Sequence, residues 1–196
     1  MGNETHDRSG EETVSRPPRY DDLKRLCAEL NRLGARYVVV GGFALIRHGL
    51  HRFTIDIDLL VETTAENEAR VIQALLILPE KAAAELKPGE VGQYGVVRVG
   101  DEVLVDLMKS GCGVTYADAI EDAVVDEIDG VRIPFASVPV LWRMKQTVRA
   151  KDAPDRAYLR RLLEAQGIPV EPPPSEDPLT RWWRRFKEWR NSRRAR

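Results

Sequence analysis

A chain of 196 residues, 43% hydrophobic and 31% charged, holds enough apolar material for one domain with a buried core and is not a globally disordered composition. No apolar run reaches bilayer length, which excludes a helical membrane span. Cys27 and Cys112 are too few and too far apart for a zinc motif. The net charge of −1 hides a segregation: residues 181–196 carry eight Lys/Arg against the single acid Glu188, so the remainder of the chain is acidic.

Residues 1–19 are polar, aperiodic and closed by Pro17-Pro18, and read as a disordered segment. They contain nothing like the apolar stretch of a secretory signal, so a cytoplasmic protein is expected. Asp21 is placed to cap a helix with Leu23, Leu26, Cys27, Leu30 and Leu33 at helical spacing, ended by Gly34. Tyr37–Val40 is a short β-branched strand. Gly41-Gly42 turns it into a helix over about 43–48, closed by Gly49. A second strand covers 55–61, and a helix starting at Thr63 or Thr64 carries Val71, Ile72, Leu75 and Leu76.

Residues 79–92 carry no clear period. Two hairpins follow, 96–99 with 102–108 around Gly100-Asp101, and 124–128 with 131–133 around Asp129-Gly130, the latter a strong type I′ signal. Ser137 caps a helix expected to run through Leu141, Met144, Lys145 and Val148, and Pro154 opens a last helix with Leu159, Leu162 and Leu163, ending near Gly167. Strands interleaved with helices and hairpins give an α/β fold with a mixed β-sheet, flanking helices and C-terminal helices. The expected organisation is a core over 20–135, a helical part of the same domain over 136–168, a proline-rich linker over 169–180 and a basic aromatic tail over 181–196.

The chemistry sits in Val40-Gly41-Gly42-Phe43 and Arg52-Phe53-Thr54-Ile55-Asp56-Ile57-Asp58. Glycines between a strand and a helix allow close backbone approach, and amides at a helix start can meet phosphate; without a ligand the same pair is simply a turn. Alternation along a strand sends Asp56 and Asp58 to one face, with Arg52 and Thr54 in phase with them. Two carboxylates among apolar residues repel unless a cation lies between them, and hard oxygen donors suit Mg²⁺, with Mn²⁺ as a substitute. Asp106, in Val103-Leu104-Val105-Asp106-Leu107-Met108, is a third acid in an apolar strand. Arg52 suits either a phosphate contact or a structural counter-ion role. His48 and His51 lack the spacing of a helical metal pair and read as surface or helix-end residues.

Gly-Gly-x-Ala, a helix, Arg-x-Thr-x-Asp-Ile-Asp and a later strand with Asp106 resemble the nucleotidyltransferase superfamily with the DNA polymerase β-like fold, over about residues 21–165. Within it the chain is most similar to AbiEii-type toxins and related small bacterial nucleotidyltransferases. The resemblance implies transfer of a nucleoside monophosphate from an NTP, ATP among the possibilities, to a hydroxyl. It implies Asp56, Asp58 and Asp106 as catalytic metal ligands for two Mg²⁺ ions, and Gly41 and Gly42 against the triphosphate. Many superfamily members carry a serine where this chain has Gly42 or Phe43, a departure that leaves phosphate binding to backbone amides and cations.

Lys145 and Arg149 resemble the lysine-bearing segment of related enzymes, with Arg52 and Thr54 as further nucleotide-binding candidates; for Lys145 the alternative is a solvated helix face. Arg143 reads as solvated, and Lys151, Asp152 and Asp155 as stabilisers of the helix junction. The tail residues Arg181, Trp182, Trp183, Arg185 and Trp189 combine cations with stacking surfaces, which suits an RNA or tRNA acceptor. Docking on the protein's own core, an anionic membrane or a partner protein are the other fates of such a stripe. A toxin with a cognate antitoxin is the expectation. An enzyme acting on a small molecule such as an antibiotic, and an inactive binding module, are the rivals.

Overall fold

The computed structural model describes residues 15–170. The expectations for residues 1–14, for most of the proline-rich linker and for the basic aromatic tail lie outside the described residues.

Helix α1 (Tyr20–Arg32) buries Leu23, Leu26, Cys27 and Leu30 on one stripe. Its start is set by Asp22, which accepts the Arg19 N–H at 2.7 Å, and not by the expected Asp21. Asp22 also accepts from both terminal guanidinium nitrogens of Arg16 at 2.7 Å, while the Arg16 amide donates to the Glu102 carbonyl at 2.9 Å. Residues 15–19, read from sequence as part of the polar N-terminal segment, are thereby held against a distant hairpin.

Strand β1 (Tyr37–Val39) leads into α2 (Gly41–Arg47), whose first turn contains both glycines rather than following them. Strand β2 (Asp56–Val61) and α3 (Ala65–Leu75) come next, with the Thr64 hydroxyl accepting from Asn67 N–H as a cap. A 3-10 turn (Ala82–Glu85) and α4 (Glu90–Tyr94) fill the stretch that had no legible period. Two buried carboxylates from remote elements hold it: Asp101 accepts from the amides of Glu80 and Ala82, and Glu68 from those of Gly89, Val91 and Gly92. Buried amides need such partners, and here they lie about twenty residues away in sequence.

Strands β3 (Val96–Gly100) and β4 (Leu104–Met108) form the first expected hairpin, but Gly100 pairs with Leu104, so its loop is Asp101-Glu102-Val103 rather than a two-residue turn. A small hairpin, β5 (Ser110–Gly111) with β6 (Val114–Thr115), and α5 (Tyr116–Ile120) follow. Strands β7 (Val124–Ile128) and β8 (Val131–Phe135) close around Asp129 (φ 50°) and Gly130 (φ 78°), as a type I′ turn requires.

Helix α6 (Val138–Met144), capped by Ser137, stops a turn short of the expected Val148. Val148 is fully exposed, so the apolar spacing there had no core to enter. The Gln146 side-chain amide donates to the Trp142 carbonyl at 2.8 Å where the helix ends. After a second 3-10 turn (Ala150–Asp152), α7 (Ala153–Ala165) carries Pro154 in its first turn and packs on α6.

The main sheet has six strands in the order β3-β4-β2-β1-β8-β7. Strands β2 and β4 run parallel, as do β1 and β8, and the other neighbours are antiparallel. This is the mixed α/β sheet with flanking helices that the sequence implied. Its central strands are apolar almost throughout, which makes the acids on β2 and β4 conspicuous.

Candidate active site

Register brings the acids together. Asp58 on β2 lies directly opposite Asp106 on parallel β4, and Asp106 lies opposite Arg98 on antiparallel β3. In-register residues share a face, so Arg98, Asp106 and Asp58 form a row across three adjacent strands, with Asp56 two residues from Asp58 on that face. One oxygen from each of Asp56, Asp58 and Asp106 lies within 4.8 Å of the others.

Asp58 packs over the start of α2. A Cβ on Gly41, where φ is +60°, would fall 1.8 Å from the Asp58 carboxylate, and one on Gly42 would fall 2.1 Å from the Thr54 hydroxyl. The glycine pair is therefore required by its neighbours' side chains. The Thr54 hydroxyl in turn donates to the Asp56 carbonyl at 3.2 Å, tying the approach segment to the first residue of β2.

Burial, and then the charges of Asp56 and Asp106, push the Asp58 carboxyl up to about 6, opposed by a hydrogen bond from the Gly42 amide and by the charge of Lys145. Three converging carboxylates with one of them hard to ionise form a set that a hard divalent cation relieves. All-oxygen donors fit Mg²⁺ or Mn²⁺, so the residues suit the ion that the resemblance implies.

The cation found on the cluster is one that sequence reasoning missed. Arg98 donates to both oxygens of Asp106 at 2.7 Å and reaches Asp56 at 3.4 Å. These contacts, those with Asp106 foremost, hold its guanidinium still more firmly protonated than usual. The hairpin register is what concealed it: a two-residue turn at Gly100-Asp101 would set Arg98 opposite Val103.

Across the cleft, Lys145 is the C-cap residue of α6, not a mid-helix residue as expected. It pairs with Asp152 at 3.0 Å and Asp155 at 2.9 Å. Arg52 lies ahead of β2 and pairs with Asp155 at 2.6 Å, the counter-ion alternative raised for it, and Arg149 pairs with Asp152 at 3.2 Å. Asp152 and Asp155 are buried, so this second charge cluster braces the junction of α6 and α7. His48 is the C-cap of α2, with Nε2 2.8 Å from the Ala136 carbonyl, and His51 is exposed.

Gly41, Gly42, Arg52, Thr54, Asp56, Asp58, Asp106, Lys145 and Arg149 all line one cleft of about 430 Å³. The acid floor is contributed by β2 and β4, and the basic wall by the segment that joins α6 to α7.

This mixed sheet, with its acid triad on neighbouring strands beside a Gly-Gly helix start, has the architecture of a nucleotidyltransferase. The chain belongs to the AbiEii family: the family model described as "Nucleotidyl transferase AbiEii toxin, Type IV TA system" matches residues 23–174. A search of curated proteins finds no match to the chain. Among the described residues no helix is long and apolar enough to cross a membrane.

Proposed function

We propose that the protein is a metal-dependent nucleotidyltransferase that moves a nucleoside monophosphate from an NTP to a hydroxyl of RNA, with a tRNA 3′ end as the acceptor class, and that it acts as the toxin of a toxin–antitoxin pair. The observation that carries this reading is the convergence of Asp56, Asp58 and Asp106 in one cleft with Gly41-Gly42 and Lys145. The family assignment supports the nucleotidyl-transfer class and an antitoxin partner.

Asp56, Asp58 and Asp106 are the residues to hold Mg²⁺, which when bound supplies charge neutralisation at the reacting phosphates. Lys145, Arg149 and Arg52 line the same cleft and in this reading are cations for the triphosphate, with the Gly41-Gly42 backbone and Thr54 also in its lining. The acceptor oxygen attacks the α-phosphorus, forming the new P–O bond. The bond to the β-phosphate bridging oxygen breaks and pyrophosphate leaves with the electron pair. In this reading Asp106 takes the proton from the acceptor hydroxyl. Positioning and charge neutralisation carry most of the rate, as in other phosphoryl transfers.

The test incubates the pure protein with each α-³²P NTP, Mg²⁺, total tRNA and cell lysate. Label on RNA, lost in Asp56→Ala/Asp58→Ala, supports the reading. Label on a small molecule alone moves the acceptor to that class, and no label on any acceptor overturns the enzyme reading.

A further inference from the structure

We propose that Arg98 is a built-in occupant of the carboxylate cluster: it keeps divalent metal off Asp106 until the phosphates of a nucleoside triphosphate draw the guanidinium away, so that metal and nucleotide load together. The inference rests on the metal-binding reading of Asp56, Asp58 and Asp106 given above.

Four observations carry it. First, Arg98 engages both oxygens of Asp106 at 2.7 Å and also reaches Asp56 at 3.4 Å, so one side chain covers two of the three acids. A metal ion and this guanidinium compete for the same lone pairs. Second, the pairing is written into the sheet, because Arg98 is the cross-strand partner of Asp106 and its position follows from the backbone register. Third, Arg98 stands on β3, an edge strand, with its side chain 54% exposed, so it is anchored at Cα while its guanidinium borders solvent. Fourth, Lys145 pairs with Asp152 and Asp155, Arg149 with Asp152 and Arg52 with Asp155, Lys151 also lines the cleft, and among these described cations the ion pairs to the triad are those of Arg98. Arg98 is thus the cation of this cleft that balances the triad directly.

A guanidinium fork fits phosphate oxygens as well as it fits a carboxylate. A triphosphate arriving in the cleft therefore offers Arg98 an equivalent partner, and the vacated Asp106 oxygens then become available. Two consequences follow. Metal alone binds weakly because it must displace an ion pair. Metal and nucleotide each raise the other's affinity, since a shared displaced group links them reciprocally.

The test measures Mn²⁺ binding by the electron paramagnetic resonance of the free ion, for the full chain, with and without each of the four α,β-methylene nucleoside triphosphates. In the absence of nucleotide, Arg98→Ala is expected to bind Mn²⁺ about fivefold or more tightly than wild type, the equivalent of removing one well-formed, partly exposed ion pair. The nucleotide analogue should tighten Mn²⁺ binding in wild type and do so much less in Arg98→Ala, which should also bind the analogue more weakly. Arg98→Met, which keeps the aliphatic stem on the strand, should behave as the alanine variant does and guards against a folding defect in either one. Wild-type or weaker Mn²⁺ affinity in both variants without nucleotide overturns the role of Arg98 while leaving the metal site standing. Unchanged Mn²⁺ binding in Asp56→Ala/Asp58→Ala overturns the metal reading itself, and this inference with it.

Discussion

At the scale of single residues, the site is built from side chains that crowd two glycines. Many members of the superfamily this chain resembles carry a serine where this chain has Gly42 or Phe43, and at Gly42 Thr54 fills the space a side chain would need. Gly42→Ser should lower stability by about 1–3 kcal/mol, the usual range for overpacking. Thr54→Gly in the same chain should recover much of the loss, which a double-mutant cycle by urea denaturation measures. Asp58 makes a second residue-scale prediction. Its carboxyl titrates near 3.8 when unfolded and at about 6 in the fold. Below about pH 4 both states are protonated, and in the window up to about 6 only the folded state keeps the proton. The contribution is therefore complete at low pH and is lost as pH rises through about 6 in the metal-free protein. Asp58→Asn should flatten that decline, a difference on the order of 2 kcal/mol between pH 4 and 7 in denaturation midpoints. Added Mg²⁺ should restore wild type at pH 7 and leave Asp58→Asn nearly unmoved.

At the scale of elements, the C-terminal end of α6 decides how the basic wall is presented. Had the helix continued to Val148, Lys145 would be one more position on its surface. Instead the chain turns out at Lys145, and Asp152 gathers Lys145, the Thr147 hydroxyl and Arg149. Asp152→Ala should therefore cost about 3 kcal/mol by chemical denaturation, the low end for breaking a buried pair, because Lys145 keeps Asp155. Asp152→Asn keeps an acceptor for Thr147 and should lose less. The elements legible in sequence were those whose signal is local: the periodic stripe of α1, the Asp129-Gly130 turn, and the alternation that pairs Asp56 with Asp58. Those that were not legible depend on remote partners. The 79–92 stretch folds around Glu68 and Asp101. The end of α6 depends on Asp152. Arg98 could not be matched to Asp106 because one miscounted loop shifts every pair in the hairpin, and register is the least local property a strand has.

At the scale of the whole molecule, the proposed reaction asks a cleft whose lining carries five aspartates against five Lys/Arg to accept a polyanion. The described residues 15–170 supply the sheet, the triad and the basic wall, yet the densest positive charge in the sequence lies outside them, at 181–196. The proposed reaction gains if recognition of an RNA body is carried by a segment apart from the cleft proposed to handle the nucleotide. Deleting residues 175–196, beyond the family match, should leave Mn²⁺ and nucleotide binding unchanged and weaken association with tRNA. The salt dependence is the sharper readout. Each phosphate neutralised on a single strand adds roughly 0.7 to the slope of log K against log salt, so eight Lys/Arg can account for at most about six. Fluorescence titration of labelled tRNA from 50 to 200 mM salt should show the full chain steeper than the truncated one by up to that amount. Truncation that lowers the melting temperature while leaving the RNA slope untouched would mark Trp182, Trp183 and Trp189 as packing on the protein's own body, and acceptor recognition would then have to come from the cleft's basic wall.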